Sequence, residues 1–467
     1  MQDIILTKKQ QEAINYEGEQ LLIRGIAGSG KTTVLLKYAH KILTKHSDEN
    51  IALITYNKTL AHYAAELASL LKSDKLVVKT FHSWARGGLS KLGNVPDVVS
   101  GSSQTNLISS CIQELQKVQV HRFFKETRFE RFLQDEVHWI KGMNLLTRDS
   151  YMKVERIGRG TKVKVDRNDR DKIFDLFELY QNKLKQKRLC DYDDYALLLN
   201  QRGIPESQRF DTILIDEAQD LQQVQLQLLK NGTRKRIIIA ADKGQKIYKT
   251  SFTWRDIGIN ITGSRTKILT DSQRSTEQIM KLAASLQEHD PLFKNKDDEF
   301  VIPVMPIRQG PKPVIVQCKD YMEEQEFVAK TIAELQKVYP EWSIGLLSRE
   351  TRSLNRYERV LNDKRINCVQ VKKQGASILD AGVKLMSFHS AKGLEFDAVI
   401  IIRAREHTIP LLNKEEGEPD EEELAVERRL LYVSMTRAKS VLYIAYNDKP
   451  SRFIDEMDKS LYELVKA

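Results

Sequence analysis

Short apolar runs alternate with helical spacing from the first residues onward. The run QLLIRG at 20–25 gives way to a glycine-rich turn. KTTVLLKYAHKIL follows, with apolar positions recurring every three or four residues. The pattern repeats with a strand at Ile51–Thr55 and a helix at 60–71, and LVVKTFHSW reads as a third strand. FDTILIDEAQD and RKRIIIAAD supply two more short apolar runs. Wholly apolar strands interleaved with helices predict a parallel sheet covered on both faces, the α/β class.

Between 89 and 190 the spacing turns helical and charged (SCIQELQKV, RFERFLQDEVHWI, DKIFDLFELYQNKLKQK), broken by the basic segment KVERIGRGTKVKVDR. From 263 the first pattern returns, with strands expected in KPVIVQ, SIGLLS, VKLMSF, DAVIII and SVLYIAY. The predicted organisation is a first α/β domain over 1–88 and 191–262, a helical insertion over 89–190, and a second α/β domain over 263–467. The acidic run at 413–427 reads as a solvated loop leading into a helix.

Composition narrows the class. The 467 residues, 41% hydrophobic and 30% charged, allow two or three soluble cores. No run of eighteen apolar residues exists, so no membrane partner is expected. MQDIILTKKQQEAI is too short and too polar for a signal peptide, which makes the expected location cytoplasmic. The four cysteines form no C-x-x-C pair and read as buried thiols. A net charge of +10 permits a polyanionic partner without requiring one.

The candidate chemistry begins at 25–33. Gly25, Gly30, Lys31 and Thr32 fit G-x-x-x-x-G-K-[ST] between a strand and a helix. The backbone of Gly25, Ala27, Gly28, Ser29, Gly30 and Thr33 would wrap phosphate oxygens. Lys31 would reach the β- and γ-phosphates, and Thr32 would hold Mg²⁺. ILIDEAQD then delivers Asp216 to Mg²⁺ and Glu217 to an attacking water, at the end of a buried strand where such sheets bind ligands. Hydrolysis of ATP or another nucleoside triphosphate is the expected reaction.

Nine segments in order (LTKKQQEAI, GIAGSGKTT, LITYNKTLAHYA, KTFHSWA, ILIDEAQDL, AADKGQKIY with FTWRD, LTDSQRST, VKLMSFHSAKGLEF, ERRLLYVSMTRAK) resemble the superfamily 1 helicases of the UvrD/Rep/PcrA type. The resemblance implies two RecA-like P-loop domains. It implies that Gln10 reads adenine, that Gln245 senses the γ-phosphate, and that Arg274 and Arg437 reach that phosphate from the second domain. It puts Glu395 near the ribose. Gln273 stands where the family carries an adenine-stacking tyrosine.

For the polymer, the resemblance points to Tyr56 and Asn57, then to Phe81, His82 and Ser83, then to Tyr248, Trp254 and Arg255, and to Phe388 and His389. Trp254, in the polar stretch KTSFTWRD, is expected to face a base. Lysines and arginines at 153–170 and 183–188 are candidates for duplex phosphates or for a solvated bundle surface. The large helical insertion that the family carries before VKLMSFHSAKG has no counterpart here, nor is there a nuclease motif. Two functions stay open on the sequence. One is a 3′-to-5′ single-stranded DNA translocase and helicase working at single-strand/duplex junctions. The other is an ATP-gated strand-sensing module that acts with a nuclease or other protein partner. A metabolic kinase would need turnover indifferent to polymer.

Overall fold

The computed structural model describes residues 6–467 apart from 157–162, 247–252, 273, 295–300, 302–303, 372–376, 412–418 and 420. Tyr248 and Gln273 therefore lie outside the described residues.

The first half builds β1 (Gln20–Gly25), β2 (Ile51–Thr55), β3 (Leu76–Thr80), β4 (Asp97–Val98), β5 (Leu189–Cys190), β6 (Phe210–Ile215), β7 (Thr233–Ala241) and β8 (Thr266–Leu269). Six of them form one parallel sheet in the order β3-β2-β6-β7-β1-β8. Strands such as β2 are buried at every position, because helices cover both faces. The order decides the site: β7 lies between β1 and β6. The chain segments leaving these three strands therefore meet at one edge of the sheet.

Two expectations change here. The third strand stops at Thr80, whose side chain accepts from the backbone N–H of Ser83 and caps the helix Phe81–Lys91. Phe81 is thereby turned into the core. The first sheet also takes a sixth strand, β8, beyond the expected boundary at 262, pairing Leu22 with Thr266. TKIL is four residues long with only its last position buried, too brief for a periodicity to reveal.

The insertion is helical, with its longer helices at Ser102–Val118, Glu130–Gly142 and Arg167–Gln186. They pack around Phe123, Phe132, Tyr151 and Phe174. The parallel pair β4 and β5 ties its two ends together. Lys141, fully buried, reaches Asp191 at 2.7 Å and Asp194 at 2.8 Å just beyond β5, and the Tyr180 hydroxyl donates to Asp191 at 2.9 Å. Those contacts fasten the bundle to the first lobe.

The second lobe contains β9 (Val314–Cys318), β10 (Ser343–Ser348), β11 (Cys368–Gln370), β12 (Gly382–Ser387), β13 (Phe396–Ile401), β14 (Ala438–Asn447) and β15 (Glu463–Lys466). They form a parallel sheet in the order β11-β12-β10-β13-β14-β9-β15. The helices Glu277–Gln287 and Glu421–Met435 share its larger core with Phe388, Phe396 and Ile444. The lobes meet closely. Gly393 has φ +82, and a Cβ there would come within 2.6 Å of Leu60 from the first lobe. Among the described residues no helix is long and apolar enough to cross a membrane.

Candidate nucleotide cleft and nucleic-acid groove

The loop after β1 turns through Gly28 and Gly30, both at φ +76, a conformation that disfavours any side chain. A Cβ on Gly28 would also come within 2.9 Å of the Arg274 Cβ, so the loop lies directly against the segment that carries that arginine. Lys31 opens the helix Lys31–Lys45 and folds its ammonium back over the loop. Its Nζ donates to the carbonyls of Gly25 at 2.9 Å and Ile26 at 3.0 Å, and it faces Asp242 at 3.5 Å. Thr32 donates its hydroxyl to Asp216 Oδ2 at 2.5 Å. Asp216 is fully buried; burial first and the Glu217 carboxylate second push it up to about 6.

Glu217 sits in the left-handed region (φ 53°, ψ 42°). Its carboxylate accepts from Gln219 and lies 3.4 Å from Lys392. Burial opposes its charge, but Lys392, Lys31 and Arg437 outweigh that and hold it below the usual range. Gln245, in the turn Lys243–Gln245 that follows β7, donates to Asp242 and accepts from Arg437 Nη2 at 2.9 Å. Arg437 is 1% exposed and is further braced on the carbonyls of Val433 and Leu394. Arg274 pairs with Glu395, while its Nε and Nη1 are buried with no hydrogen-bond partner.

One cleft is thus lined by Ser29, Lys31, Thr32 and Glu217 from the first lobe and by Arg274, Glu395 and Arg437 from the second-lobe side. Its volume is about 30 Å³, room for a water or two. In this arrangement the cleft is too small to hold a nucleotide. The donor set suits a magnesium–triphosphate pair. The two orphaned guanidinium nitrogens call for an anion, and Thr32 with Asp216 offers two hard oxygens side by side. Among the described residues no cluster of three or more His, Cys, Asp or Glu side chains could hold a metal alone. A cation here would need phosphate oxygens to complete its shell.

Gln10 is arranged differently from the expectation. Its amide oxygen accepts from the Thr7 N–H at 2.8 Å and its nitrogen donates to the Ser29 carbonyl at 3.0 Å. In this closed form the side chain braces the phosphate loop. Thr33 lines the cleft, while Ala27 packs into the second lobe's core and Gly25 lies against Ser29 and Leu269.

A second, larger cavity of about 490 Å³ lies where the first lobe, the insertion and the second lobe converge. Tyr56, His82, Tyr192, His138, Arg349 and His389 are among its walls. His82 is the hub of an aromatic cluster, with ring centroids 5.2 Å from Tyr192 and 6.4 Å from Tyr56. Burial lowers the His82 pKa despite Asp193 nearby. Burial and then Arg349 push His389 down to about 4.

The remaining polymer candidates divide. Phe81 and Phe388 are fully buried core residues and have no face to offer a base. Trp254 is 8% exposed and packs among Ile257 and Ile259 in the first lobe's core, so the expectation that it faces a base is not met. Its polar neighbours form the turn Thr253–Asp256 around it, which the sequence context alone concealed. Arg255 is exposed beside it. Asn57 caps the helix Lys58–Ser69, accepting from Leu60 N–H at 2.6 Å, and Ser83 is exposed.

Several basic residues of the insertion engage its own acceptors. Arg148 meets Asp171, Asp175 and Glu178, Lys183 meets Glu114, and Arg170 donates to three carbonyls. Lys185, Lys187 and Arg188 stay exposed. Sequence reasoning missed Tyr192, His138 and Lys392. Lys392 sat in plain view inside SAKGLEF, where a lysine between small residues signals close packing.

Comparison with known proteins agrees with this geometry. The family model of the UvrD/REP helicase N-terminal domain matches residues 6–260, and that of the UvrD-like helicase C-terminal domain matches 372–449. A probable DNA helicase II homolog of Mycoplasma capricolum is 24% identical over 396 residues, covering 78% of this chain and 51% of that protein. A probable DNA helicase of Mycoplasma pneumoniae is 22% identical over 508 residues, covering 99% and 88%. The ATP-dependent DNA helicase Rep of Buchnera aphidicola is 26% identical over 324 residues, covering 63% and 44%. The chain thus spans about half the length of the first of these relatives. With the N-terminal family model covering more than half of its residues, this chain belongs to the UvrD/REP helicase family.

Proposed function

We propose that the chain hydrolyses ATP to move along single-stranded DNA in the 3′-to-5′ direction, opening duplex at junctions as it goes. The observation that carries this reading is the shared cleft. Arg274 and Arg437, from the second-lobe side, line the same space as Lys31, Thr32 and Glu217, and two nitrogens of Arg274 are buried without a partner. Arginines held by one lobe stabilise charge on a triphosphate held by the other. Their attraction to it varies as the phosphate chain is cut, so the lobes close and part with each turnover.

Lys31 would leave its loop carbonyls to meet the β- and γ-oxygens. Glu217, held charged in its buried position, would orient and deprotonate the attacking water. Mg²⁺, held by Thr32 and Asp216, would neutralise charge on the phosphate oxygens. Gln245 would relay the state of the γ-phosphate, since it already bridges Asp242 and Arg437. The strand would lie in the groove beside Tyr56, His82 and His389, its bases against neutral rings. The choice of DNA and the polarity rest on the family and on the names its relatives carry.

Steady-state ATPase with single-stranded DNA, duplex and RNA in parallel tests the reading. Displacement of a block from the 5′ or the 3′ end reads direction. Turnover indifferent to every polymer sinks the motor. Stimulated turnover with no displacement leaves a strand sensor in its place.

A further inference from the structure

One segment serves both cavities. Tyr56, just beyond β2, lines the larger groove. The helix Lys58–Ser69 that follows carries Tyr63 and Leu67 to the wall of the nucleotide cleft. They stand one helical turn apart and so share a face. The helix is placed by its buried side: Ala64 and Ala68 pack in the same core as Val34 and Leu35 of the helix that Lys31 opens. Tyr63 is half-buried and also packs against the second lobe's core, and Leu60, three residues earlier, lies against Gly393. The ring therefore stands on the seam between the lobes.

The chemistry of the lining singles this ring out. Among the described residues, Tyr63 and Leu67 are the only large apolar side chains in the cleft wall. Lys31, Arg274 and Arg437 suit phosphate oxygens, whereas a nucleoside needs an apolar wall. The Tyr63 hydroxyl has no hydrogen-bond partner among the described residues. Burial first, and the Glu395 carboxylate second, raise its pKa, so it keeps its proton. A protonated phenol both donates and accepts, while Glu395 only accepts. An unpaired phenol near a carboxylate fits the hydroxyls of a sugar, which donate and accept at once.

We propose that Tyr63 is a specificity-determining residue of the nucleotide cleft, its ring bearing on the ribose and its hydroxyl bonded to a ribose hydroxyl. The inference rests on the nucleotide-hydrolysing reading above and adds the part of the nucleotide that the phosphate loop and the arginines leave unread. Tyr63 belongs to the same lobe as the phosphate loop. In a cleft widened enough to admit a nucleotide, sugar and phosphates therefore stay with one lobe, and the preference is for ribonucleotides over analogues that lack the hydroxyl Tyr63 holds.

The test uses the full chain and calorimetric titration with ADP, 2′-deoxy-ADP, 3′-deoxy-ADP and inorganic pyrophosphate, each with Mg²⁺, so that no turnover is needed. Wild type should bind ADP about fivefold or more tightly than at least one of the deoxy analogues. Tyr63→Phe keeps the ring and should bring that ratio close to one, with the unfolding temperature unchanged. Tyr63→Leu removes the ring and should weaken ADP about tenfold or more while pyrophosphate binds as it does to wild type. A wild type that binds all three nucleotides alike, or a Tyr63→Phe variant that keeps the wild-type ratio, overturns the sugar contact. A Tyr63→Leu variant that loses ADP and pyrophosphate equally means that the ring only shapes the phosphate loop, and overturns it too. The expected ratios in a chain that never turns ATP over would fell the hydrolytic reading and leave this contact standing, while a wild type that binds no ADP fells both.

Discussion

The nucleotide cleft and the polymer groove are built on opposite principles. In the cleft almost every functional group is charged, buried and in contact with another charge: Lys31 with Asp242, Arg274 with Glu395, Lys392 with Asp220. In the groove, rings such as Tyr56, His82 and His389 alternate with Arg131, Asp135 and Arg349, and the wall is partly open to solvent, with Tyr192 45% exposed. A buried charge stripped of its partner costs several kcal/mol, so the cleft has few allowed arrangements. A ring face meets any base about equally well, so the groove tolerates variation. On the proposed reading the cleft works as a switch with discrete positions and the groove as a track.

The largest effect expected from this contrast is at Arg437. Burial first, then the neighbouring Arg274, pushes its guanidinium down to about 10, a measure of how strongly the closed cleft wants negative charge. Arg437→Ala should lower kcat about 10³-fold while ATP binding survives, and Arg437→Lys should not restore it. Single-turnover hydrolysis beside equilibrium binding of an ATP analogue measures both. A groove substitution that cost as much in kcat would erase the distinction between switch and track.

The groove's counterpart to that buried charge lies behind its wall. Lys141 is held charged there: burial opposes it, but Asp191 and Asp194 prevail. Lys141→Met should destabilise the chain by about 3–5 kcal/mol, read from urea unfolding, because two carboxylates are left buried and unpaired. Asp191, Tyr192, Asp193 and Asp194 form one turn, so strand affinity should fall with stability while nucleotide affinity in the surviving folded fraction holds.

The same contrast explains what the sequence could disclose. The cleft follows from chemistry that admits few residue types at fixed offsets from a strand end. Lys31, Thr32, Asp216 and Glu217 were legible for that reason, Gln245, Arg274 and Arg437 only through the family resemblance, and all of them lie in or beside one cleft. The two parallel sheets were legible from apolar runs such as IALIT and SIGLLS. The strands that escaped notice, β4, β5, β8, β11 and β15, are two to four residues each and largely unburied, so no apolar run marks them. The groove was only partly legible. Its aromatic residues obey no spacing, and a ring in a polar context, Trp254, packs inward while Tyr192 beside three acidic residues faces outward.

Trp254 and Tyr192 turn that failure into a paired measurement. Trp254→Ala should cost about 3 kcal/mol or more of stability, as expected for a large core ring, with strand affinity of the folded protein little changed. Tyr192→Ala should leave the unfolding midpoint nearly unaltered and weaken single-strand binding by about 1–3 kcal/mol. Fluorescence titration with oligo-dT beside thermal unfolding separates the two. The reverse outcome would move Trp254 back to the strand.

The smallest effect belongs to His138, where the groove imitates the cleft. Burial works against charge on its ring, but the Asp193 carboxylate outweighs burial and pushes it up to about 9. A histidine raised above its ordinary 6.5 adds stability that is fully present below 6.5 and is lost as pH climbs through 9. The ring is 42% exposed, so solvent and salt blunt the pair and the gain is modest. His138→Gln should therefore lower the urea midpoint slightly at pH 6, and the difference from wild type should close by pH 9.5. A gap that stayed constant across that range would mean that the ring contributes by packing alone.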